Sequence, residues 1–591
     1  MKYKKQIQLI AAIVTLIVFP VITFYLMEAY THNPFEEVRP WAQFFNILLF
    51  ELLAWIFVSV TGKIQSGLRI ELVTAMIYGI ANAYVVRFRT NPIVPWDIFS
   101  WKTAASVASN YDFKPDIRMI VVTLAFLGMI VLLQFVKTGM PKFQLWKRLI
   151  PAGACCIVLV LFVNLLQDED FQTGHRLYPF LFTPAFMTQV NGVAVTFAMD
   201  LAYMTVEKPA GYDAVKEQAL LESYAGQEDD TDSSEKKEEL PNIIESFSDL
   251  NVLGDFTTNE DYMPYLHSLQ NGAENTVTGY LNVSVCGGNT ANTEFEFLTG
   301  NSMAFLPQGS IPYQQYITKE LPALPAYLAS LGYETVATHP YYADGWDRDK
   351  VYPLLGFSES IFKDQYWGAG YVRKYVSDNS CVDKIIELYE KKEEGTPLFV
   401  FNVTMQNHGG YSDTYDNFTP DITVEGVEST PLSQYLSLVR LSDQALEKLI
   451  SYFEEADEKT IVVFFGDHQP NDTVAAPILN LNGMTTKTLT EDQLKLRYEV
   501  PYVIWANYDI DAESGKDTSA NYLAADVLHY AGISENAYGS YLLELQQNYP
   551  IISAMRVLTK DGLDTNSSSL KQELKDYQSL QYYQLFDWKK E

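Results

Sequence analysis

Residues 1–206 carry five long apolar runs, at 7–27, 41–62, 69–88, 117–136 and 149–167. Each is long enough to cross a hydrocarbon core of roughly 30 Å as a helix, so this part of the chain cannot be an ordinary soluble core. A cleaved leader accounts only for the first run, and no small-residue cleavage site follows it closely. Basic residues mark alternate ends of the runs: Lys2, Lys4 and Lys5, then Lys63 and Arg69, then Lys137, Lys142, Lys147 and Arg148. Basic loops stay on the cytoplasmic side. The reading is therefore a multi-pass protein of the cell membrane, with everything after about residue 168 outside the cell. The apolar stretch 180–206 contains Gln189, Asn191 and Asp200 and has no basic cluster after it. It is expected to form helices at the outer membrane surface rather than a sixth span.

Composition narrows what the rest can do. With 73 acidic and 42 basic residues the net charge is −31, which repels phosphate backbones and excludes a general nucleic-acid binder. Four cysteines in 591 residues exclude a disulfide scaffold and a Cys-rich zinc module. Cys286 and Cys381 either pair in an oxidising compartment or stay as two unpaired small residues.

The expected organisation is a five-helix transmembrane domain at 1–167, juxtamembrane interfacial helices at 168–225, an acidic linker at 226–240, a catalytic domain at 241–556 and a polar tail ending in a surface helix at 557–591. The linker, GQEDDTDSSEKKEEL, has no aromatic residue and reads as a solvated tether. Beyond it, short apolar runs predict strands at Val277–Val283, Glu334–Thr338, Leu398–Val403, Thr460–Phe465 and Tyr502–Ala506. Helical spacing predicts helices at Leu324–Leu331, Val382–Lys391, Leu432–Glu455 and Ala524–Ala531. This alternation argues for an α/β domain with a central, mostly parallel sheet and helices on both faces.

Open α/β sheets bind ligands beyond the carboxyl ends of their strands, so the residues following each strand carry the argument. Asp467 and His468 follow Thr460–Phe465; a carboxylate beside an imidazole suits Mn²⁺, Mg²⁺ or Zn²⁺, although an Asp-His turn can also merely cap a strand. Gly287-Gly288-Asn289-Thr290 follows Val277–Val283 and places the Thr290 hydroxyl where a helix begins, either as an ordinary N-cap or facing a phosphate. His339 follows Glu334–Thr338, with Trp346 and Arg348 close behind; arginine can grip a phosphate, and a tryptophan offers a flat wall to a small polyol. His408 follows Leu398–Val403, and Glu245 follows a short run at Asn242–Ile244. Singly each is weak. Four or five strands delivering ionisable residues to one edge indicate an active site.

The stretch Gly288-Asn289-Thr290-Ala291-Asn292-Thr293-Glu294-Phe295, with Trp346-Asp347-Arg348 and Gly466-Asp467-His468 in order behind five apolar runs, resembles the lipoteichoic acid synthase family, the sulfatase-like phosphoglycerol transferases of Gram-positive bacteria. The resemblance spans nearly the whole chain. It implies a sulfatase/alkaline-phosphatase-like fold, Thr290 as nucleophile, one Mn²⁺ or Mg²⁺ on Glu245, Thr290, Asp467 and His468, and glycerol phosphate held by Trp346, Arg348 and His408 with His339 nearby. It further implies phosphatidylglycerol as donor, a covalent threonine intermediate, and a glycolipid or a growing polyglycerolphosphate chain as acceptor. In that family the strand before the metal-binding glutamate is longer, so either the acidic segment supplies part of the strand here or Glu245 is displaced.

Two other transferase readings share the scaffold, a primase adding the first glycerol phosphate and a phosphoethanolamine transferase. A sulfate ester hydrolase would need a Cys/Ser-x-Pro-x-Arg motif, which is absent. A non-catalytic, membrane-tethered binding protein is the remaining alternative.

Overall fold

In the computed structural model, which describes residues 2–89, 92–98, 113–136, 145–177, 184–204, 206–225, 240–245, 247–307, 310–486, 489–565 and 572–590, the chain forms two compact units. The first comprises residues 1–98 and 112–205, and the second contains 206–591. Most of the acidic linker, residues 226–239, lies outside the described residues.

Four helices of the first unit are long and apolar enough to cross a membrane: Gln6–Glu28, Pro40–Thr61, Ile64–Phe88 and Trp146–Leu166. The fourth expected span is a shorter helix, Ile117–Leu132, whose 16 residues rise about 24 Å. Among the described residues of the 180–206 stretch no helix is long enough for a sixth span. The stretch forms two 8-residue helices, Pro184–Asn191 and Val193–Asp200, each about 12 Å long. Gly192 separates them at φ 79, where a Cβ would stand 2.5 Å from Asn46 Nδ2. The pair is held by side chains of the long helices. Glu28 accepts from the Val193 N–H at 2.7 Å, and Asn46 accepts from the Val195 N–H while donating to the Asn191 carbonyl at 2.7 Å. These contacts satisfy groups at the helix start that no intrahelical bond reaches.

The second unit is built on a nine-stranded sheet. Its strands are β1 (Leu240–Glu245), β2 (Thr276–Asn282), β3 (Glu334–His339), β4 (Glu359–Phe362), β5 (Leu398–Val403), β6 (Ile461–Gly466), β7 (Glu499–Ala506), β8 (Glu513–Ser514) and β9 (Thr518–Ser519). Their order is β8-β2-β7-β6-β1-β5-β3-β4, with β9 also on β2. The sheet is mixed rather than uniformly parallel, because β7 runs antiparallel to both β2 and β6. The carboxyl ends of β1, β2, β3, β5 and β6 consequently share one edge.

Strands covered on both faces read as continuous apolar runs. Successive residues of β5 go to opposite sides: Phe399, Phe401 and Val403 join one core, and Leu398 and Val400 the other. Phe295, Phe297 and Leu298 of the Thr290–Thr299 helix pack in the first core, and the Asp378–Lys391 and Thr430–Glu454 helices cover the second. The C-terminal helix Gln572–Tyr582 is not a surface helix. It buries Leu574, Tyr577 and Leu580 against Tyr522, Tyr538 and Tyr541, and the Tyr577 hydroxyl donates to the Gly300 carbonyl at 2.7 Å. Its polar sequence hides a one-sided stripe at i, i+3, i+6 spacing.

The short run before Glu245 becomes a six-residue strand because Leu240 and Pro241 join it, a normal length for a central strand. β1 lies between β5 and β6, with Asn242 opposite both Phe401 and Val463, and Glu245 opposite Gly466. The linker side thus supplies the missing strand length, and the Glu245 backbone is not displaced. The Glu245 side chain lies outside the described residues.

Gly466, the last residue of β6, has no room for a side chain: a Cβ there would meet the Phe247 carbonyl oxygen at 2.0 Å and Val500 Cβ at 2.9 Å. Gly466→Ala is expected to cost at least about 1–3 kcal/mol and to shift Asp467, the next residue. Thermal melting together with turnover checks this. An unchanged melting temperature would show that the strand end relaxes freely.

Candidate active site

Two loops at the carboxyl edge of the sheet are joined before any side chain acts. Cys286 forms a parallel bridge with Gln469, and the Gly287 N–H donates to the Gln469 carbonyl at 2.8 Å. Between that point and Thr290 the backbone turns through three successive positive φ values, at Gly287 (76°), Gly288 (155°) and Asn289 (71°). Glycine takes this region without strain, and asparagine is among the few other residues that do so readily. The turn delivers Thr290 to the first position of a ten-residue helix, at the positive end of its dipole.

There the Thr290 hydroxyl donates to Asp467 Oδ2 at 2.5 Å. Thr293, one turn on, donates to the Asp467 carbonyl at 2.7 Å and fixes the helix against the loop. Asp467 is buried, with Oδ1 accepting from the His468 N–H at 2.8 Å. Burial raises its carboxyl, while His468 and the Thr290 hydrogen bond act the other way. His468 Nδ1 lies 2.9 Å from the Gln469 carbonyl, which can only accept, so Nδ1 carries the proton. Nε2 faces Asp467 Oδ2 at 3.2 Å. A carboxylate oxygen, an imidazole nitrogen and a threonine oxygen converging here form a donor set that suits a cation, and a metal-bound imidazole commonly donates its other N–H to a carbonyl.

Among the described residues no three His, Cys, Asp or Glu side chains cluster at metal-ligand spacing. The described set is one carboxylate, one imidazole and one hydroxyl. Its oxygen and nitrogen donors fit Mn²⁺, Mg²⁺ or Zn²⁺. Glu245, ending the neighbouring strand opposite Gly466, is the residue whose backbone is placed to complete it.

His339 and Arg348 form a second group. His339 is buried, and its Nδ1–H donates to the Val403 carbonyl at 2.9 Å. Its Nε2 accepts from Arg348 Nη1 at 3.3 Å. Burial and the Arg348 charge push its pKa well down, so the ring is neutral with both nitrogens engaged. Arg348 is itself buried against Glu294, which accepts from Nε at 3.2 and 3.3 Å and from Nη2. Tyr313 and Tyr352 also donate to Glu294, at 3.2 and 3.0 Å. Sequence reasoning placed Glu294 within a motif but missed this role; the signal available was an acid next to the phenylalanines of a buried helix. Arg348 is therefore first a structural ion pair and only in part a free donor edge.

Trp346 is half-buried at φ 57, followed by Asp347 at φ 56. Two consecutive non-glycine residues in the left-handed region are held strained, as is common at ligand sites. His408 sits on the loop after β5, its Nδ1 3.1 Å from the Tyr375 hydroxyl. Burial pushes its pKa down to about 3, helped electrostatically by Arg373, His468 and Lys374. Neither Arg373 nor Tyr375 carried a motif in the sequence. Thr290, Asp467 and His468 thus meet directly, and His339 meets Arg348. Cys286 and Cys381 are not joined in a disulfide: Cys381 is buried in the core, and Cys286 Sγ accepts from Arg497 at 3.4 Å.

The sulfatase family model matches residues 243–533, which contain every one of these groups. A putative cyclic beta-1,2-glucan modification protein of Rhizobium meliloti is 31% identical over 474 residues, 77% of this chain and 72% of that protein. Lipoteichoic acid synthase 1 of Bacillus subtilis is 25% identical over 234 residues, 38% of this chain and 35% of that one. Among solved structures, the Streptococcus pyogenes phosphoglycerol transferase GacH in complex with sn-glycerol-1-phosphate has the same fold. Its TM-score is 0.52 at 22% identity, covering 64% of this chain and 95% of that one. With that extent of likeness, and the Thr290 turn and the Asp467-His468 pair meeting at one sheet edge, the chain carries a sulfatase-family domain over residues 243–533.

Proposed function

We propose that this protein is a metal-dependent phosphoglycerol transferase of the membrane, taking glycerol phosphate from phosphatidylglycerol onto Thr290 and passing it to a hydroxyl acceptor. The observation that carries the reading is the Thr290 hydroxyl at a helix start, 2.5 Å from a buried carboxylate. Asp467, His468, Thr290 and Glu245 would hold one Mn²⁺ or Mg²⁺, which when bound lowers the hydroxyl pKa and neutralises phosphoryl charge. Thr290 Oγ1 attacks the phosphorus, its proton passing toward Asp467 Oδ2. The phosphorus–oxygen bond to diacylglycerol breaks, and diacylglycerol leaves as its alcohol. An acceptor hydroxyl then displaces Thr290 from the glycerophosphoryl group. We assign the neutral His408 proton to Nε2, with Nδ1 accepting from Tyr375, so that Nε2–H can donate to a phosphoryl oxygen. Arg348, steered by Glu294 and His339, offers its remaining N–H edge.

Four long apolar helices and the shorter Ile117–Leu132 helix support five spans, which with the basic loops put the catalytic unit outside the cell beside its lipid donor. A glycolipid or polyglycerolphosphate chain is the acceptor in the lipoteichoic acid reading. A second acceptor, a glucan hydroxyl, is favoured by one observation: the likeness to the glucan modification protein is longer than the whole stretch from Val206 to Glu591 and so extends into the apolar helices.

The test uses full-length protein in detergent with Mn²⁺ and phosphatidylglycerol, followed by intact mass and peptide mapping. A glycerophosphoryl adduct on Thr290, lost on adding either a glycolipid or a β-glucan, is expected and names the acceptor. Metal binding without any adduct would overturn the donor assignment.

A further inference from the structure

Tyr371–Val372 and Tyr375–Val376 form a small antiparallel hairpin with Arg373 and Lys374 at its tip. Arg373 takes φ 55, a conformation that two-residue hairpin tips demand. An arginine at such a tip ordinarily reaches into water. This one turns inward and is only 4% exposed. Nη2 donates to the carbonyls of Gln406 and His408 at 2.7 and 2.6 Å, and Nη1 to that of Gly410 at 3.5 Å. The guanidinium lies 5.4 Å from the ring centres of both Tyr375 and Tyr411. Asn417 pins the hairpin from outside, donating to the carbonyls of Tyr371 and Arg373 at 3.1 and 3.0 Å.

The charge has no counter-ion: among the described residues Arg373 makes no ion pair with a carboxylate, and its Nε is buried without a hydrogen-bond partner. A buried cation that nothing neutralises costs stability, and carbonyl contacts alone do not need a full charge. The loop it grips is the one that carries His408. We infer that Arg373 is a positioning residue for phosphoryl transfer, clamping the 406–410 loop so that His408 faces the reacting phosphate and setting a fixed positive charge behind it. A guanidinium spans several carbonyls as a rigid fork, which a lysine ammonium cannot reproduce. The inference rests on the phosphoryl-transfer reading of the site, because only an anionic substrate makes an uncompensated cation useful there.

The experiment measures the rate of Thr290 adduct formation from phosphatidylglycerol in full-length wild type, Arg373→Met, Arg373→Lys, His408→Ala and the Arg373→Met/His408→Ala double variant. Each single variant is expected to slow the adduct by roughly 100-fold, the scale of a misplaced catalytic group. The double variant should be no slower than His408→Ala alone, since Arg373 acts through His408. Added methylguanidinium should restore rate to Arg373→Met and not to His408→Ala. Arg373→Lys keeps the charge without the fork and tests the same clamp if the Met variant does not fold. A double variant slowed by the product of the single effects, or a wild-type rate in either Arg373 variant, overturns the inference. No adduct even in wild type overturns the phosphoglycerol reading instead.

Discussion

Thr290→Ala is expected to abolish turnover while the second unit melts where the wild type does. The hydroxyl is the only group described at this edge that both starts a helix and donates to the buried Asp467 carboxylate. Removing a nucleophile of this kind typically costs a factor on the order of 10⁴–10⁶ in kcat. Stability should change by no more than about 1 kcal/mol, the net worth of one hydrogen bond at a partly exposed position. The surrounding contacts remain: Thr293 still donates to the Asp467 carbonyl, and the His468 N–H still holds Oδ1. Thr290→Ser restores a hydroxyl at the same backbone position and should recover adduct formation in part. The check is turnover with intact mass, alongside a melting curve. Wild-type turnover in Thr290→Ala would remove Thr290 as the nucleophile. A large loss of melting temperature would mean that its hydroxyl serves the fold instead.

The parts of this site that could be read from sequence are those that chain order alone imposes. A strand covered on both faces must be a short apolar run, so Leu398–Val403 and, within one residue of its observed bounds, Thr460–Phe465 were visible, and with them the polar residues that leave their carboxyl ends. Thr290 was visible because two glycines and an asparagine ahead of a helix leave few other conformations. What sequence could not display is pairing between distant segments. The antiparallel direction of β7 depends on the path of the chain between Gly466 and Glu499, where the Asp472–Leu481 helix intervenes and no local signal sets strand sense. The length of β1 stayed open between two alternatives because Leu240 belongs by composition to the acidic linker, and only its place opposite Phe399 makes it a strand residue. Arg373 sits in a Tyr-Val-Arg-Lys-Tyr-Val stretch that carries no motif in the sequence. Its inward turn follows from the carbonyls of a loop more than thirty residues away.

Arg348 shows the same limit with the larger consequence for experiment. Read locally, it is a phosphate-gripping arginine two residues after a tryptophan. In the fold, Nε and Nη2 are committed to Glu294, a carboxylate with no solvent exposure that two buried tyrosine hydroxyls also approach. Arg348→Ala is therefore expected to destabilise the protein by about 3–5 kcal/mol, because it leaves a buried carboxylate without its counter-charge. Lost affinity for glycerol phosphate in that variant would then say nothing about direct contact. The informative comparison is Arg348→Met/Glu294→Gln, which removes both charges. Its neutral amide can still accept from Tyr313 and Tyr352, so most of the lost stability should return, and replacing a buried ion pair by uncharged groups is often close to neutral. If Arg348 also touches the phosphate, the double variant will melt near the wild type and still bind sn-glycerol-1-phosphate at least tenfold more weakly, a loss of about 1.4 kcal/mol. If stability and affinity return together, the Arg348–Glu294 pair serves the scaffold alone, and the phosphate is held by the Thr290 helix start, His408 and the metal site.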